Sequence, residues 1–365
     1  MISIEEIKRI RETLHSIPEC SRREKETART VINYLEEHSP DALYTNLGGY
    51  GIVAGYTGSE PGPTIMFRCE MDAVKTEEEA EHLCGHDGHM ATMIAFSKII
   101  SSSGRRFKGT AYLLFQPAEE TGEGAALMLK DLEATGISFD YAFAYHNNPQ
   151  YPLHTVIIHE GTYAAASVGM EIYFKGRSAH AAHPEQANTP FEAIRRTAEY
   201  IRRLNYSAEP FRDFVLATIV NISIGEENYG VTPGDGYLRV TLRAFDDTDL
   251  ETFCDMIANY SSQMAEEYGL QVSFARHDRF PATVNNAGAN EMVIRAARRA
   301  GLDVTLCKEP LRGSDDFAFF ATSSLSSFFD IGNPGVDIHC KGYRFDDRII
   351  ETALKVYKGL LDFPL

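Results

Sequence analysis

Apolar and polar positions along this chain change period several times, and the changes separate two architectures. Ile4, Ile7, Ile10 and Leu14 fall at helical spacing among Glu5, Glu6, Lys8, Arg9 and Arg11, which predicts an amphipathic helix at the start of the chain. From about residue 40 to 160, short apolar runs alternate with helical patterns: IVAGY, TIMFRC, helical ATMIAFSKII, TAYLLF, helical EGAALMLKDL and YAFAY. Strands apolar throughout and interleaved with helices predict an α/β domain on a mostly parallel sheet covered on both faces.

The pattern then changes. Between about residues 168 and 277 it runs strand (MEIYFKG), helix (TPFEAIRRTAEYIRRL), strand (FVLATIVNIS), strand (YLRVTLRAF), helix (LETFCDMIANYSSQMAEEY) and strand (LQVSFAR). That β-α-β-β-α-β order is the ferredoxin-like unit and predicts a second domain. After PATVNN the first pattern returns, with helical NEMVIRAARRAG, a strand at VTLC, helical DDFAFFA, a strand at SSFFDIG and a last helix from about Arg348. The expected organisation is an α/β domain of residues 1–165 and 278–365 with a smaller domain, 166–277, inserted into it.

Length agrees with this division, since 365 residues exceed what a single core usually serves. Apolar residues at 44% and charged residues at 24% lie in the globular range. With 52 Asp and Glu against 35 Lys and Arg, the formal charge of −17 repels phosphate backbones and anionic headgroups, so neither nucleic acid nor a membrane is an expected partner. The six cysteines, at 20, 69, 84, 254, 307 and 340, suit a reducing compartment better than a disulfide framework. No apolar run approaches the ~20 residues of a membrane span, and a soluble, cytoplasmic protein is expected.

Three of the predicted strands run directly into ligand-type residues. TIMFRC leads to Glu70 and Asp72, TAYLLF to Glu119 and Glu120, and YAFAY to His146. The loop Cys84-Gly85-His86-Asp87-Gly88-His89 opens a helix, and His339 follows SSFFDIG through GNPGVDI. Taken singly, these residues have ordinary explanations: a buried thiol, a capping Asp, a solvated Glu pair, a packed His. Ligands of open α/β sheets, however, collect at the carboxyl ends of the strands, where these residues converge. Imidazole, carboxylate and thiolate together suit Zn²⁺ or a similar divalent ion.

The motifs LHSIPE, CEMDA (69–73), CGHDGH (84–89), QPAEE (116–120), HNNP (146–149), RSAHAAHP (177–184), PATVNN (281–286), GSDDFAFF (313–320) and the H-x6-DD at His339 resemble, in order and spacing, peptidase family M20. The branch they resemble holds the amidohydrolases, with hippurate hydrolases and auxin-conjugate hydrolases among them. That resemblance implies two divalent ions, Zn²⁺ or Mn²⁺, held by Cys84, His86, Glu120, His146 and His339, with the Cys84 thiolate between them. It implies Glu119 as general base toward a metal-activated water, Asp72 as the group that orients a ligand, and His180 as an oxyanion donor from the inserted domain, which acts as a lid and dimerisation domain. Arg243 matches a lid-strand Arg that pairs with a substrate carboxylate, and His89 is left as a helix-face residue. The expected partners are a small-molecule amide substrate and a second copy of the chain.

Three stretches depart from the branch. Arg68-Cys69-Glu70-Met71-Asp72-Ala73-Val74-Lys75 replaces its R-x-D-M-D-A-L-P, and the following loop is shortened to a run of acids, Glu77, Glu78, Glu79 and Glu81. Gly230-Val231-Thr232-Pro233 replaces N-V-I-P, so the Asn that would help hold a substrate carboxylate is absent. The expected function is metal-dependent hydrolysis of an amide in an N-acyl amino acid, amino-acid conjugate or small peptide. Alternative readings are a dipeptidase or exopeptidase of the same fold, a cysteine hydrolase using Cys84, and a non-catalytic metal-dependent binding protein.

Overall fold

The computed structural model describes residues 2–77, 79–206 and 209–362, so Glu78 of the acidic run lies outside the described residues. The chain forms two compact units, one of residues 1–163, 283–310 and 315–365, the other of 164–282 and 311–314. The boundary expected between 277 and 278 therefore falls inside a strand, Gln271–Phe280, that belongs wholly to the second unit.

The first unit is built on an eight-stranded sheet in the order Ala42–Leu47, Gly51–Thr57, Lys108–Gln116, Glu60–Glu70, Tyr141–Asn148, Leu325–Gly332, Val156–His159, Val304–Cys307. Its four middle strands, from Lys108–Gln116 to Leu325–Gly332, are mutually parallel. The sheet is more mixed than expected, because Ala42–Leu47 and Gly51–Thr57 are joined by only Gly48, Gly49 and Tyr50. So short a connection can only return the chain antiparallel. Val156–His159 also runs antiparallel to its neighbour Leu325–Gly332.

Burial on both faces explains why the middle strands are apolar throughout. Along Glu60–Glu70, Ile65, Phe67 and Cys69 join the helix-covered core, while Met66, Arg68 and Glu70 of the opposite face are buried as well. That core is closed by helices Ile4–His15, Lys25–Glu37, His86–Ser102, Ala287–Arg299 and Arg348–Leu361. Ile7, Ile10 and Leu14 of the first helix enter it and Ile4 stays exposed, while Ser3 caps the helix by accepting the Glu6 N–H at 3.2 Å. The stretch DDFAFFA forms only a one-turn helix, Ala318–Ala321.

The second unit carries a four-stranded antiparallel sheet in the order Val215–Ile224, Asp235–Ala244, Ala166–Lys175, Gln271–Phe280. Helices Phe191–Leu204 and Asp247–Glu267 follow the first and third strands in the chain. On Ala166–Lys175 the buried positions Val168, Met170, Ile172 and Phe174 alternate with less buried ones, the period-two pattern of a sheet covered on one face. Asp246 caps the longer helix, accepting the N–H groups of Thr248 and Asp249. The segment Leu311–Ser314 joins this unit because the Ala165 N–H donates to the carbonyls of Leu311 (3.0 Å) and Gly313 (2.9 Å).

Candidate metal centre

The parallel strands place their carboxyl ends together. Glu70 pairs with Gln116 across one ladder and His146 with Asp330 across another, so the residues after Glu70, after Gln116, around His146 and after Gly332 all leave the same edge. Gly85, at φ 99, turns the chain from Cys84 into the helix His86–Ser102. No other residue fits there, since a Cβ would overlap Asn147 Oδ1 and Tyr343 Oη. His339 is itself left-handed, at φ 62, and its N–H donates to Leu83 O at 2.8 Å.

All five expected ligands meet at this edge. Cys84, His86 and His146 bring ligand atoms within 4.8 Å of one another, and so do Cys84, Glu120 and His339, and His86, Glu119 and Glu120. Cys84 is common to the first two groupings. Cys84 Sγ lies 3.4 Å from His146 Nε2, and His339 Nε2 lies 3.3 Å from Glu120 Oε1.

Hydrogen bonds behind the ligands leave the atoms a metal would need. His86 Nδ1 donates to the carbonyl of Asp72 at 2.8 Å and His146 Nδ1 to that of Asn147 at 2.9 Å, so in each neutral ring Nε2 carries the lone pair. His86 Nε2 is buried with no hydrogen-bond partner, a costly arrangement unless a cation completes it. The donor set fits a divalent ion. Asp72 touches the His86 side through its carbonyl and accepts from Ser21 Oγ (2.7 Å) and the Glu120 N–H (3.0 Å), a positioning part.

Charge is arranged accordingly. Burial works against ionisation of the Cys84 thiol, but the charges of His146 and His86 outweigh it and bring it down to about 5. Burial likewise disfavours a charged His146, and the Cys84 thiolate reverses this, raising the ring to about 9. Glu119 is buried, and that burial, reinforced by Asp315 and Glu120, holds its carboxyl well above the ordinary range.

Some residues sort differently from the sequence reading. Glu70 ends its strand two positions before Asp72 and spends its hydrogen bonds on Arg68 and His89, although its carboxylate also lies within 4.8 Å of a His86 ring nitrogen. His89 lies in the helix His86–Ser102 as expected, but on its buried face, with Nδ1 2.7 Å from Glu70 Oε2 and Nε2 2.8 Å from Asn147 Oδ1, so both ring nitrogens are engaged. Asn147 Nδ2 then donates to Tyr343 Oη at 2.8 Å. The fully buried Arg68 joins Glu70 to Asp315 (3.0 Å), Asp316 (2.9 Å) and Gln116 (2.8 Å). This network went unseen in the sequence, although a charged residue inside the apolar run TIMFRC was a signal that a partner was required.

His180 and Arg243 belong to the second unit. His180 is exposed in a two-residue strand paired with Val231–Thr232, and its Nδ1 accepts the Ala182 N–H at 3.0 Å, which puts the proton of the neutral ring on Nε2. Arg243 donates to Arg312 O and Ser314 Oγ, both at 2.9 Å. The neighbouring acids are used elsewhere, Asp246 as a helix cap and Asp247 on Arg279. Gly230 offers only backbone, its carbonyl accepting the Ala181 N–H.

A family model described as Peptidase family M20/M25/M40 matches residues 66–362. A putative amidohydrolase of Bacillus subtilis is 29% identical, covering 97% of this chain and 93% of that protein. The N-acetylcysteine deacetylase of the same organism is 26% identical over 96% of this chain and 94% of its own, and the hippurate hydrolase of Campylobacter jejuni 26% identical over 97% and 95%. In fold the chain is similar to a dinuclear metal binding peptidase of Bacillus subtilis, with TM-score 0.83 and 24% identity over 98% of this chain and 97% of that one. Since the matched stretch takes in every strand end described above and reaches beyond His339, the chain belongs to Peptidase family M20/M25/M40.

Proposed function

We propose that this protein hydrolyses an amide bond in an N-acyl amino acid, an amino-acid conjugate or a small peptide. The observation that carries the reading is a buried thiol shared by two groupings of ligand atoms, with a second carboxylate, Glu119, beside the Glu120 that serves one of them. In this reading Cys84, His86, Glu120, His146 and His339 hold two divalent ions, and relatives named as an N-acetylcysteine deacetylase and a hippurate hydrolase favour an acylated amino acid as substrate. Bound there, such ions supply Lewis acidity and make water a nucleophile at neutral pH.

Glu119 accepts the proton of the attacking water and delivers it to the leaving nitrogen. Burial beside Asp315 and Glu120 makes its carboxyl a ready proton holder. Asp72 keeps His86 in the tautomer that presents Nε2. His180 Nε2–H has the chemistry of an oxyanion donor. Arg243, held by neutral acceptors, has guanidinium capacity for a substrate carboxylate. A homodimer through the second unit is part of the proposal: its edge strand Val215–Ile224 leaves Val220 and Ile222 58% and 46% exposed. Among the described residues no helix is long and apolar enough to cross a membrane.

Glu119→Gln and Glu120→Gln separate the roles. The first should retain metal and lose about 10²-fold or more in kcat, because an amide cannot take the proton. The second should lose metal. Element analysis beside turnover of N-acyl amino acids and dipeptides decides, and the reverse outcome would overturn the assignment.

A further inference from the structure

Glu24 is fully buried, and nothing in the chemistry above uses it. Its Oε1 accepts two backbone N–H groups, from Ala118 at 2.8 Å and from Arg22 at 3.0 Å. Its Oε2 is buried with no hydrogen-bond partner, and burial is the main reason its carboxyl rises to about 7. The side chain comes from the segment between the first two helices, and that segment also docks on the site by other bonds. Ser21 Oγ donates to Asp72, and the Ala73 N–H donates to Glu19 O at 2.8 Å.

Ala118 is the residue immediately before the Glu119–Glu120 pair. It is buried and left-handed, at φ 52, a conformation that a residue with a Cβ adopts only at a steric cost. That turn takes the chain from the strand Lys108–Gln116 to the two carboxylates, and Ala118 O then accepts the N–H of Gly124 at 3.1 Å, at the head of the next helix. Something must hold so unfavourable a turn. The bond from the Ala118 N–H is the visible restraint on its amide side, while the Glu120 N–H is held separately by Asp72 at 3.0 Å.

We propose that Glu24 is a positioning residue that clamps Ala118 in its left-handed turn and so aims Glu119 at the substrate. The inference rests on the role given to Glu119 above. It requires an acceptor oxygen at Glu24 and no negative charge, which sets it apart from an electrostatic role.

The test compares Glu24→Gln, Glu24→Ala and Glu24→Ala with Ala118→Gly in the metal-loaded full chain. Three readouts are taken: kcat and KM on the best N-acyl amino acid found, bound metal, and hydrogen exchange of the peptide containing Ala118. Glu24→Ala should exchange about tenfold faster or more at that amide and lose about 10- to 100-fold in kcat, with KM within about threefold. Glu24→Gln keeps the acceptor and should stay within about threefold of the parent in all three. Glycine at 118 accepts positive φ without the Cβ cost, so the double variant should regain about half or more of the lost activity on a logarithmic scale.

Unchanged exchange or unchanged kcat in Glu24→Ala overturns the proposal, and so does Glu24→Gln as damaging as Glu24→Ala. If Glu24→Ala does not fold, Glu24→Gln decides alone: turnover and exchange like the parent sustain the clamp, and loss of either overturns it. A parent protein without metal-dependent amide hydrolysis instead refutes the functional reading. The exchange data then still judge the clamp, sustaining it if Glu24→Gln protects Ala118 and Glu24→Ala does not.

Discussion

Arg68→Met would test whether the buried acids behind the ligand edge depend on one guanidinium. The side chain has no solvent exposure and lies 3.0 Å from Asp315, 2.9 Å from Asp316 and in contact with Glu70. At such distances, with an effective dielectric near 20, each pair contributes roughly 5 kcal/mol of attraction. Dehydrating each buried ion costs several kcal/mol in return, so removing one partner leaves a net loss of about 3–5 kcal/mol. For a unit of this size that is a fall in Tm of roughly 6–20 °C, read on metal-free protein so that ligand binding does not intrude. The pH dependence carries the sharper test. Burial opposes the Glu70 carboxylate, and Arg68 overrides it, holding the group well below its ordinary value. In the parent, that pairing stabilises the fold above the unfolded carboxylate value of about 4.3, and the benefit is lost as pH falls through the lower folded value. Without Arg68, burial carries Glu70 above the unfolded value, and the folded variant must bind protons that the unfolded chain does not need. The deficit should therefore be largest near pH ~8 and shrink toward pH ~5. Thermal or urea melts across that range measure it. A loss under about 1 kcal/mol at the alkaline end, or one that grows toward acid, would refute the reasoning.

Other perturbations address the site itself. Cys84→Ser should lower metal occupancy, since a hydroxyl is a much poorer bridging ligand than a thiolate, and element analysis with full occupancy would remove Cys84 from the proposed set. His180→Ala should cut kcat by about 10²-fold with metal content unchanged. If His180 acts across a dimer, mixing it with an excess of Glu119→Gln should restore turnover, and no rescue indicates action within one chain. Gly88→Ala should destabilise by about 1–3 kcal/mol, because its Cβ would overlap the Phe345 ring, and a melt like the parent's would contradict that packing.

What could be read from the sequence was whatever periodicity and strand ends encode. Runs such as TIMFRC and YAFAY must be buried on both faces, so their carboxyl ends, with Asp72, Glu120 and His146, were bound to share an edge. The outer strands were harder. Ala42–Leu47 is only partly buried and carries a mixed pattern, and Val156–His159 is four residues long, too short for any period to show. Helix Lys25–Glu37 lacks a side-chain cap and begins in a charged stretch that reads as surface, which is also why Glu24 drew no attention. Within the site, spacing could not tell that Glu70 faces Arg68 while Asp72 faces His86, because the partners of Arg68 include Asp315 and Asp316, far along the chain. Such pairing is decided by tertiary packing.

The order of strands in the eight-stranded sheet differs from their order of synthesis. Leu325–Gly332 lies between Tyr141–Asn148 and Val156–His159, so a gap in the middle of the sheet stays open until nearly the whole chain has left the ribosome. Everything from Pro149 to Ser324 must be made first. At about 5–20 residues per second that interval lasts roughly 10–35 seconds. During it Tyr141–Asn148 presents a bare, apolar edge, the kind of surface that recruits foreign strands or a chaperone. The second unit, whose four strands are all made by Phe280, has its sheet complete before the first can close. Truncations that remove the chain beyond Ser324 should therefore leave a folded second unit attached to an aggregation-prone first one.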